Sequence, residues 1–190
     1  LKEEADSKEF LLIFDEIITG FRLGLGGAQD HYGVVPNLTV LGKIIGGGLP
    51  IGAIVGEDQI MALADPTAVR RKSEKVKIGG GTFSCNPMTM KAGIATIDRL
   101  EEDRRIYTRI ASMGECLRQG YEKILRDNGL PAVATGVGSL FHFHTPNRDG
   151  VSIRSPRDAV DTANEDRSRE IFLRLVNKGF FIPRLNGCIT

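Results

Sequence analysis

The sequence predicts an α/β domain built around a parallel sheet, followed by a smaller α+β domain. The continuous apolar run at 10–14 has the length and hydrophobicity of a strand that is buried on both faces, and the segment 38–41 is predicted as a second buried strand. Later in the chain the strand-like segments cluster, and antiparallel pairing among them is typical of an α+β domain. We therefore predict two domains, at residues 1–103 and 104–190.

Within the first domain, turn residues and apolar runs define the order of the elements. Pro87 stands at a favourable first position for a helix, and glycines at 79–81 form a tight turn before it. The predicted elements are strands at 10–14, 38–41 and 50–55, a short helix at 57–64, a surface loop at 65–77 and a helix at 87–100.

The second domain begins with a long amphipathic helix predicted at 106–128, which Gly129 ends. Its apolar residues recur at helical spacing, as Ile110, Met113, Leu117, Tyr121, Ile124 and Leu125. After it we predict strands at 132–133 and 139–144, a helix at 160–178 and a strand at 179–183.

The composition argues against several classes of partner. The formal net charge is +1, and basic residues are interspersed with acidic ones, so no face for nucleic acid is expected. No apolar run approaches the roughly 20 residues that span a bilayer. The chain has no signal-peptide pattern and three widely spaced cysteines, so we expect a cytoplasmic protein with reduced thiols. Neither end resembles a natural terminus, and we expect an internal piece of a longer chain.

Asp15 and Lys43 each follow a predicted strand. Ligands of open α/β sheets bind beyond the carboxyl ends of the strands, so both side chains could face one crevice. Taken alone, Asp15 would more simply cap a loop, and a lysine in a glycine-rich loop is usually solvated. The pair at matched strand ends favours a binding site over these separate interpretations.

The glycines at 46–48, close behind Lys43, would let the backbone approach a ligand. A plain tight turn is the simpler alternative. Two nucleotide-binding motifs fail here: Ile44 replaces the Ser or Thr of a P-loop, and the glycines at 24–27 do not fit a dinucleotide fingerprint.

Three blocks in this order resemble the class III aminotransferase family: LLIFDEIITGFR at 11–22, GKIIGGGLPIG at 42–52 and GTFSCNP at 81–87. The similarity covers essentially the whole chain. Within the class it is most similar to the glutamate-1-semialdehyde aminomutase branch, through TGFR at 19–22, GAQ at 27–29, YGV at 32–34 and LTVLGK at 38–43. The resemblance implies a fold-type-I transferase dependent on pyridoxal phosphate. Residues 1–103 would then be part of its large domain, and 104–190 an incomplete small domain.

The resemblance also implies roles for four residues. Lys43 would form the Schiff base with pyridoxal phosphate and shuttle protons, while Asp15 would pair with the pyridine nitrogen. Ile17 would pack on the ring of the cofactor. Thr82 would bind the phosphate of the neighbouring subunit's cofactor, which implies a homodimer. No metal is implied.

The activity implied by the aminomutase branch is intramolecular amino transfer from glutamate-1-semialdehyde to 5-aminolevulinate, a step of porphyrin biosynthesis. Ile18 favours this branch, because many class III transaminases have glutamine there, whereas the long loop at 65–77 argues against it. One rival is a transaminase that acts on another amine or amino acid and a keto acid. A further rival is a non-catalytic interaction protein that keeps the fold.

Three other polar residues are weaker candidates. His142 and His144 alternate on a predicted strand, and a structural role is favoured over a metal site because no carboxylate or cysteine is near them in sequence. Arg22 is compatible with a clamp for a substrate carboxylate and equally with a salt bridge.

Overall fold

The computed structural model describes residues 1–67, 76 and 79–180. The chain divides into two compact units, Leu1–Arg104 and Arg105–Thr190. Assigning these units to the large and small domains of a whole enzyme stays a prediction. The elements of the first unit are α1 (Lys2–Ser7), β1 (Ile13–Glu16), α2 (Gly27–Tyr32), β2 (Leu38–Gly42), a 3-10 turn (Lys43–Gly46), β3 (Gly52–Gly56), α3 (Asp58–Met61) with a 3-10 turn (Ala62–Ala64), and α4 (Pro87–Glu102).

A three-stranded sheet in the order β1-β2-β3 organises the first unit. Strands β1 and β2 are parallel, with Asp15 opposite Val40, and β3 returns antiparallel to β2, with Gly52 opposite Gly42. Because β1 and β2 run in the same direction, their carboxyl ends lie at the same end of the sheet. The residues that follow them are therefore brought close together.

The first strand differs from the sequence prediction in its start and its burial. It begins at Ile13 rather than Phe10, and Ile13 is 53% exposed. Its side chains alternate, so that Ile13 and Asp15 are exposed while Phe14 is half-buried and Glu16 is buried. Within the described part of the chain, packing covers only the face that carries Glu16, so the expectation of burial on both faces was wrong for this chain.

The second unit is built on a long helix and a β-hairpin. Strands β4 and β5 pair antiparallel, and Tyr121 of the helix stacks on Phe143 with 4.1 Å between ring centroids. The elements are α5 (Arg105–Asp127), β4 (Val133–Val137), β5 (Leu140–His144), α6 (Pro156–Thr162) and α7 (Glu165–Asn177).

The helix predicted at 160–178 is instead two helices, because a cap at Asn164 divides it. Ser155 and Asp158 form a capping box that starts α6 early, and the Asn164 side chain accepts the Arg167 N–H at 3.0 Å to start α7. The predicted strand at 179–183 and most of the predicted loop at 65–77 lie outside the described residues. None of the helices in the described residues is long and apolar enough to cross a membrane.

Candidate active site

Asp15 and Lys43 lie at the same end of the sheet. Asp15 is the penultimate residue of β1, and Lys43 directly follows Gly42, the last residue of β2. The parallel register places Asp15 opposite Val40, three residues before the lysine. The structure thus brings a carboxylate and an amine to the strand ends where open α/β sheets bind ligands.

The Asp15 carboxylate retains most of its capacity to accept hydrogen bonds. It is exposed, and its Oδ1 accepts the backbone N–H of Ile17 at 3.1 Å. No ion pair or further hydrogen bond involves this side chain within residues 1–67, 76 and 79–180. Asp15 is therefore available to a cationic or N–H-bearing ligand.

Lys43 has an unusual backbone conformation. Its φ is 48°, in the left-handed region, and it opens the 3-10 turn Lys43–Gly46. A residue with a Cβ loses about 1–2 kcal/mol in this region, and such strain is concentrated at functional sites. Across the described residues, the exposed Lys43 side chain has neither a hydrogen bond nor an ion pair. It lines an open concavity of about 570 Å³ together with Ile44, Gly48, Leu49, Pro50 and Ile51.

Ile17 connects the two strand ends. Its Cγ2 packs so close to Gly42 that a Cβ added to that glycine would lie 3.2 Å from it. The same residue donates its N–H to Asp15. Ile17 therefore touches the residue before Lys43 and fixes the carboxylate of Asp15, whereas its predicted packing on a cofactor ring stays a prediction.

Glu16 is a structural residue of the site that the sequence did not indicate. It is only 1% exposed, and its Oε2 accepts the N–H of Ala28 at 2.6 Å and the hydroxyl of Thr19 at 3.0 Å. Its Oε1 accepts the backbone N–H and the side-chain amide of Gln29, at 3.1 and 3.0 Å. These hydrogen bonds to a carboxylate hold the end of β1, next to Asp15, against the start of α2.

In the sequence, Gly27 could have indicated that the Glu16 carboxylate is buried here. Gly27 has a φ of 63°, and a Cβ there would lie 2.2 Å from Glu16 Oε2. Only glycine fits at this position, because any side chain would displace the carboxylate.

Thr82 lies apart from these contacts, in an exposed turn that precedes α4. Asn86 caps the helix by accepting the N–H of Met88 at 2.9 Å, and Pro87 occupies its first position. No hydrogen bond joins Thr82 to Asp15 or Lys43 in the part of the chain that the structure describes. Its role toward a partner subunit stays a prediction.

The remaining candidates have different surroundings. His142 and His144 stack at 4.4 Å between ring centroids, and the Nε2 of His144 lies 2.9 Å from the Thr135 hydroxyl. Burial, together with His142, lowers the pKa of His144 to about 4, so a hydrogen-bonded neutral ring is favoured at neutral pH. Arg22 Nε is buried and, among the described residues, has no hydrogen-bond partner.

The fold is similar to that of solved structures. It matches an omega-transaminase from Sphaerobacter thermophilus with 36% identity and a TM-score of 0.78, covering 100% of this chain and 41% of that one. It matches a β-phenylalanine aminotransferase from Variovorax paradoxus with 32% identity and a TM-score of 0.82, again covering 100% of this chain and 41% of that one. The fold is that of the fold-type-I transferases, which use pyridoxal phosphate.

The family follows from the sequence comparison. Residues 1–186 match the family model of Aminotransferase class-III. The chain is 37% identical over 183 residues to a glutamate-1-semialdehyde 2,1-aminomutase from Methanobrevibacter smithii, covering 96% of this chain and 40% of that protein. The chain belongs to the class III aminotransferases, a family that depends on pyridoxal phosphate. It spans about two fifths of the length of the curated relatives it matches.

Proposed function

We propose that this chain carries the cofactor-binding lysine and aspartate of an aminomutase that converts glutamate-1-semialdehyde to 5-aminolevulinate. One observation carries the proposal: Asp15 and Lys43 lie at the carboxyl ends of two paired parallel strands. Both side chains are exposed and, in the described residues, have capacity left for a ligand.

Pyridoxal phosphate fits the chemistry of these two side chains. When bound, the cofactor supplies a conjugated ring that accepts electrons from a carbon next to the amino group. Asp15 would accept a hydrogen bond from the ring nitrogen and, through its negative charge, keep that nitrogen protonated. Its single contact with the Ile17 N–H holds the carboxylate and leaves one oxygen for this purpose.

Lys43 would hold the cofactor through its amine and then carry protons at Nζ. An amine must be deprotonated to act as a nucleophile or a base, and within the described residues no carboxylate forms an ion pair with this side chain. Ile17 would present an apolar surface to the ring, and Thr82 would bind the phosphate of a cofactor in the neighbouring subunit.

Two observations support the aminomutase within the family. Curated relatives named glutamate-1-semialdehyde 2,1-aminomutase are 36–39% identical over nearly the whole chain. Ile18 also stands where many class III transaminases have glutamine. An aminomutase returns the amino group to the same carbon skeleton and needs no second substrate.

A class III transaminase is the second candidate. It is favoured by the match to the Sphaerobacter thermophilus omega-transaminase, which is 36% identical over the full length of this chain. Such an enzyme would pass the amino group to a keto acid and show ping-pong kinetics.

A product assay with the full-length protein and pyridoxal phosphate separates the two functions. The aminomutase forms 5-aminolevulinate from glutamate-1-semialdehyde without a keto acid, whereas strict dependence on a keto acid would leave the transaminase. Lys43→Ala is the control for both, and it should lose the visible absorption band of the bound cofactor along with turnover. A Lys43→Ala protein that keeps both would refute the assignment of this lysine.

A homodimer in the cytoplasm belongs to the same proposal. The exposed turn at Thr82 supports it, since a residue that serves a neighbouring subunit must be accessible to that subunit. The small-molecule substrate is the only other partner proposed.

A further inference from the structure

The turn that begins with Lys43 rests directly on the backbone of helix α4. A Cβ added to Gly93 of this helix would lie 2.1 Å from the carbonyl oxygen of Ile45. From the other side, a Cβ added to Gly47 would lie 2.4 Å from the carbonyl oxygen of Ala92. Real Cβ atoms are not found this close to backbone atoms, so the contact requires that both residues lack side chains.

This contact involves the residues next to the strained lysine. Ile45 is two residues after Lys43, and the turn is closed by the Gly47 N–H, which donates to the Ile44 oxygen at 3.0 Å. Gly47 and Gly48 continue in the left-handed region, with φ of 58° and 92°. The Lys43 side chain has no polar partner within the described residues. The packing of the turn against α4 therefore sets the backbone conformation from which this side chain extends.

The helix that provides this contact is itself well fixed. The Asn86 cap and Pro87 define its start, and Thr89, one turn before Gly93, is only 4% exposed. The methyl carbon of Thr89 also reaches the turn, 3.7 Å from where a Cβ on Gly46 would lie. At the position where the turn approaches the helix most closely, the helix therefore has a glycine and no side chain.

We infer that Gly93 is a positioning residue for Lys43: its missing side chain lets the turn sit against α4 and thereby holds the lysine in its left-handed conformation. The inference rests on the proposed role of Lys43 as the cofactor-binding residue. A side chain at position 93 would push the Ile45 carbonyl away and release or redirect the lysine amine.

The test substitutes Gly93→Ala in the full-length protein and measures two properties of Lys43. One is the rate at which a small amine-modifying reagent labels Lys43 in the cofactor-free protein, followed by mass spectrometry across pH. The other is the pH midpoint of the visible absorption band after cofactor binding. We expect both the labelling rate and the pH midpoint of the band to differ from those of wild type, and kcat to fall roughly 10-fold to 100-fold.

Two glycine-to-alanine variants in α5 provide matched controls. Gly120 has no atom within 4 Å of an added Cβ, so Gly120→Ala tests the helical substitution alone. Gly114 has a comparable clash, since a Cβ there would lie 2.3 Å from the Gly138 oxygen. Gly114→Ala therefore tests a steric clash that does not involve the lysine turn, and it should lower the melting temperature without changing either Lys43 measurement.

A failure of this inference can be distinguished from a failure of the proposed function. A Gly93→Ala protein with the Lys43 properties of wild type would overturn the inference, even where Lys43 binds the cofactor as proposed. Should Gly93→Ala not fold, Thr89→Ser removes a methyl group that α4 places beside Gly46 of the same turn. It is expected to shift both measurements to a smaller degree, and no shift in that variant would overturn the inference. Failure of the wild-type lysine to bind cofactor would instead refute the proposed function.

Discussion

Glu16 Oε2 accepts the backbone N–H of Ala28 at 2.6 Å, across the segment that connects β1 to α2. The carboxylate is buried and is the direct neighbour of Asp15 in the strand. Alternation along β1 points the two side chains to opposite faces, so one carboxylate is exposed to a ligand while the other anchors the chain behind it. The two adjacent acidic residues therefore have different tasks and should respond differently to substitution.

Glu16→Ala should destabilise the protein strongly. It would leave the buried N–H of Ala28 and the half-buried N–H of Gln29 without this acceptor, at a cost of up to about 1–3 kcal/mol for each unsatisfied group. Glu16→Gln should cost less, because an amide oxygen can still accept one of these hydrogen bonds. Denaturant unfolding of the full-length protein measures both. Glu101→Ala, at an exposed glutamate, is the control, and equal stability of the Glu16 and Glu101 variants would contradict the anchoring role.

Asp15→Asn should leave stability almost unchanged and lower turnover by orders of magnitude. The amide oxygen can still accept the Ile17 N–H, but it supplies no negative charge to keep a ring nitrogen protonated. Melting temperature and kcat, measured on the same cofactor-loaded preparation, separate the two effects. Wild-type kcat in Asp15→Asn would show that the carboxylate is only a turn-forming residue.

Thr82 allows a test across the predicted dimer. We expect Thr82→Ala to weaken cofactor binding roughly 10-fold, because it removes one hydroxyl donor to a charged phosphate. Thr82→Ser should keep most of the affinity. Titration of the cofactor-free protein, followed by the visible absorption band, gives the dissociation constants.

Mixed dimers show which subunit the Thr82 side chain serves. A dimer of one Thr82→Ala chain and one Lys43→Ala chain contains an intact site only if Thr82 acts on the partner's cofactor. At a limiting cofactor concentration, where Thr82→Ala is poorly loaded and Lys43→Ala is inactive, we therefore expect activity to return when the two variants are unfolded and refolded together. No recovery, alongside recovery in a control mixture with wild type, would place Thr82 in its own subunit's site.

His144 should make the stability of the second unit sensitive to acid. Burial lowers the pKa of the folded His144 to about 4, whereas the unfolded side chain titrates near its ordinary 6.5. The stability contributed by the neutral ring is thus present above about pH 6.5 and is lost as the pH falls toward 4. Melting temperatures of wild type and His144→Gln, compared over this range, should converge as the pH falls. His31→Gln, at an exposed histidine, should run parallel to wild type, and parallel curves for His144→Gln would contradict the prediction.

The sequence was sufficient for elements whose signals are local. The apolar run before Gly42 predicted β2 and the position of Lys43 behind it, and Pro87 predicted the start of α4. The family resemblance was confirmed, because the family model matches residues 1–186. The predicted roles of Asp15, Ile17, Lys43 and Thr82 stay predictions.

Other features depend on contacts that no local pattern encodes. The backbone N–H groups that donate to Glu16 lie 12 and 13 residues away, and an acidic residue after a strand does not reveal whether it faces a ligand or the interior. The helix break at Asn164 was missed because the amphipathic pattern continues across it, while the cap interrupts the backbone. Gly93 carried no signal at all, since a glycine in a helix shows its purpose only when the opposing carbonyl is located.

The pairing of Gly42 with Gly52 has a consequence for engineering this protein. These glycines are Cα partners at the ends of β2 and β3, so the loop between them is tied at its base, and Lys43 sits at that base rather than at the tip. The tip, at Gly48 and Leu49, is exposed, and a Cβ added to Gly48 would have no atom within 4 Å. Lengthening a flexible loop costs only about 0.6 kcal/mol for each doubling. Insertions at the tip should therefore change the wall of the concavity beside Lys43 while the Lys43 backbone stays fixed. Residues 48–49 are thus a suitable site for introducing new substrate contacts.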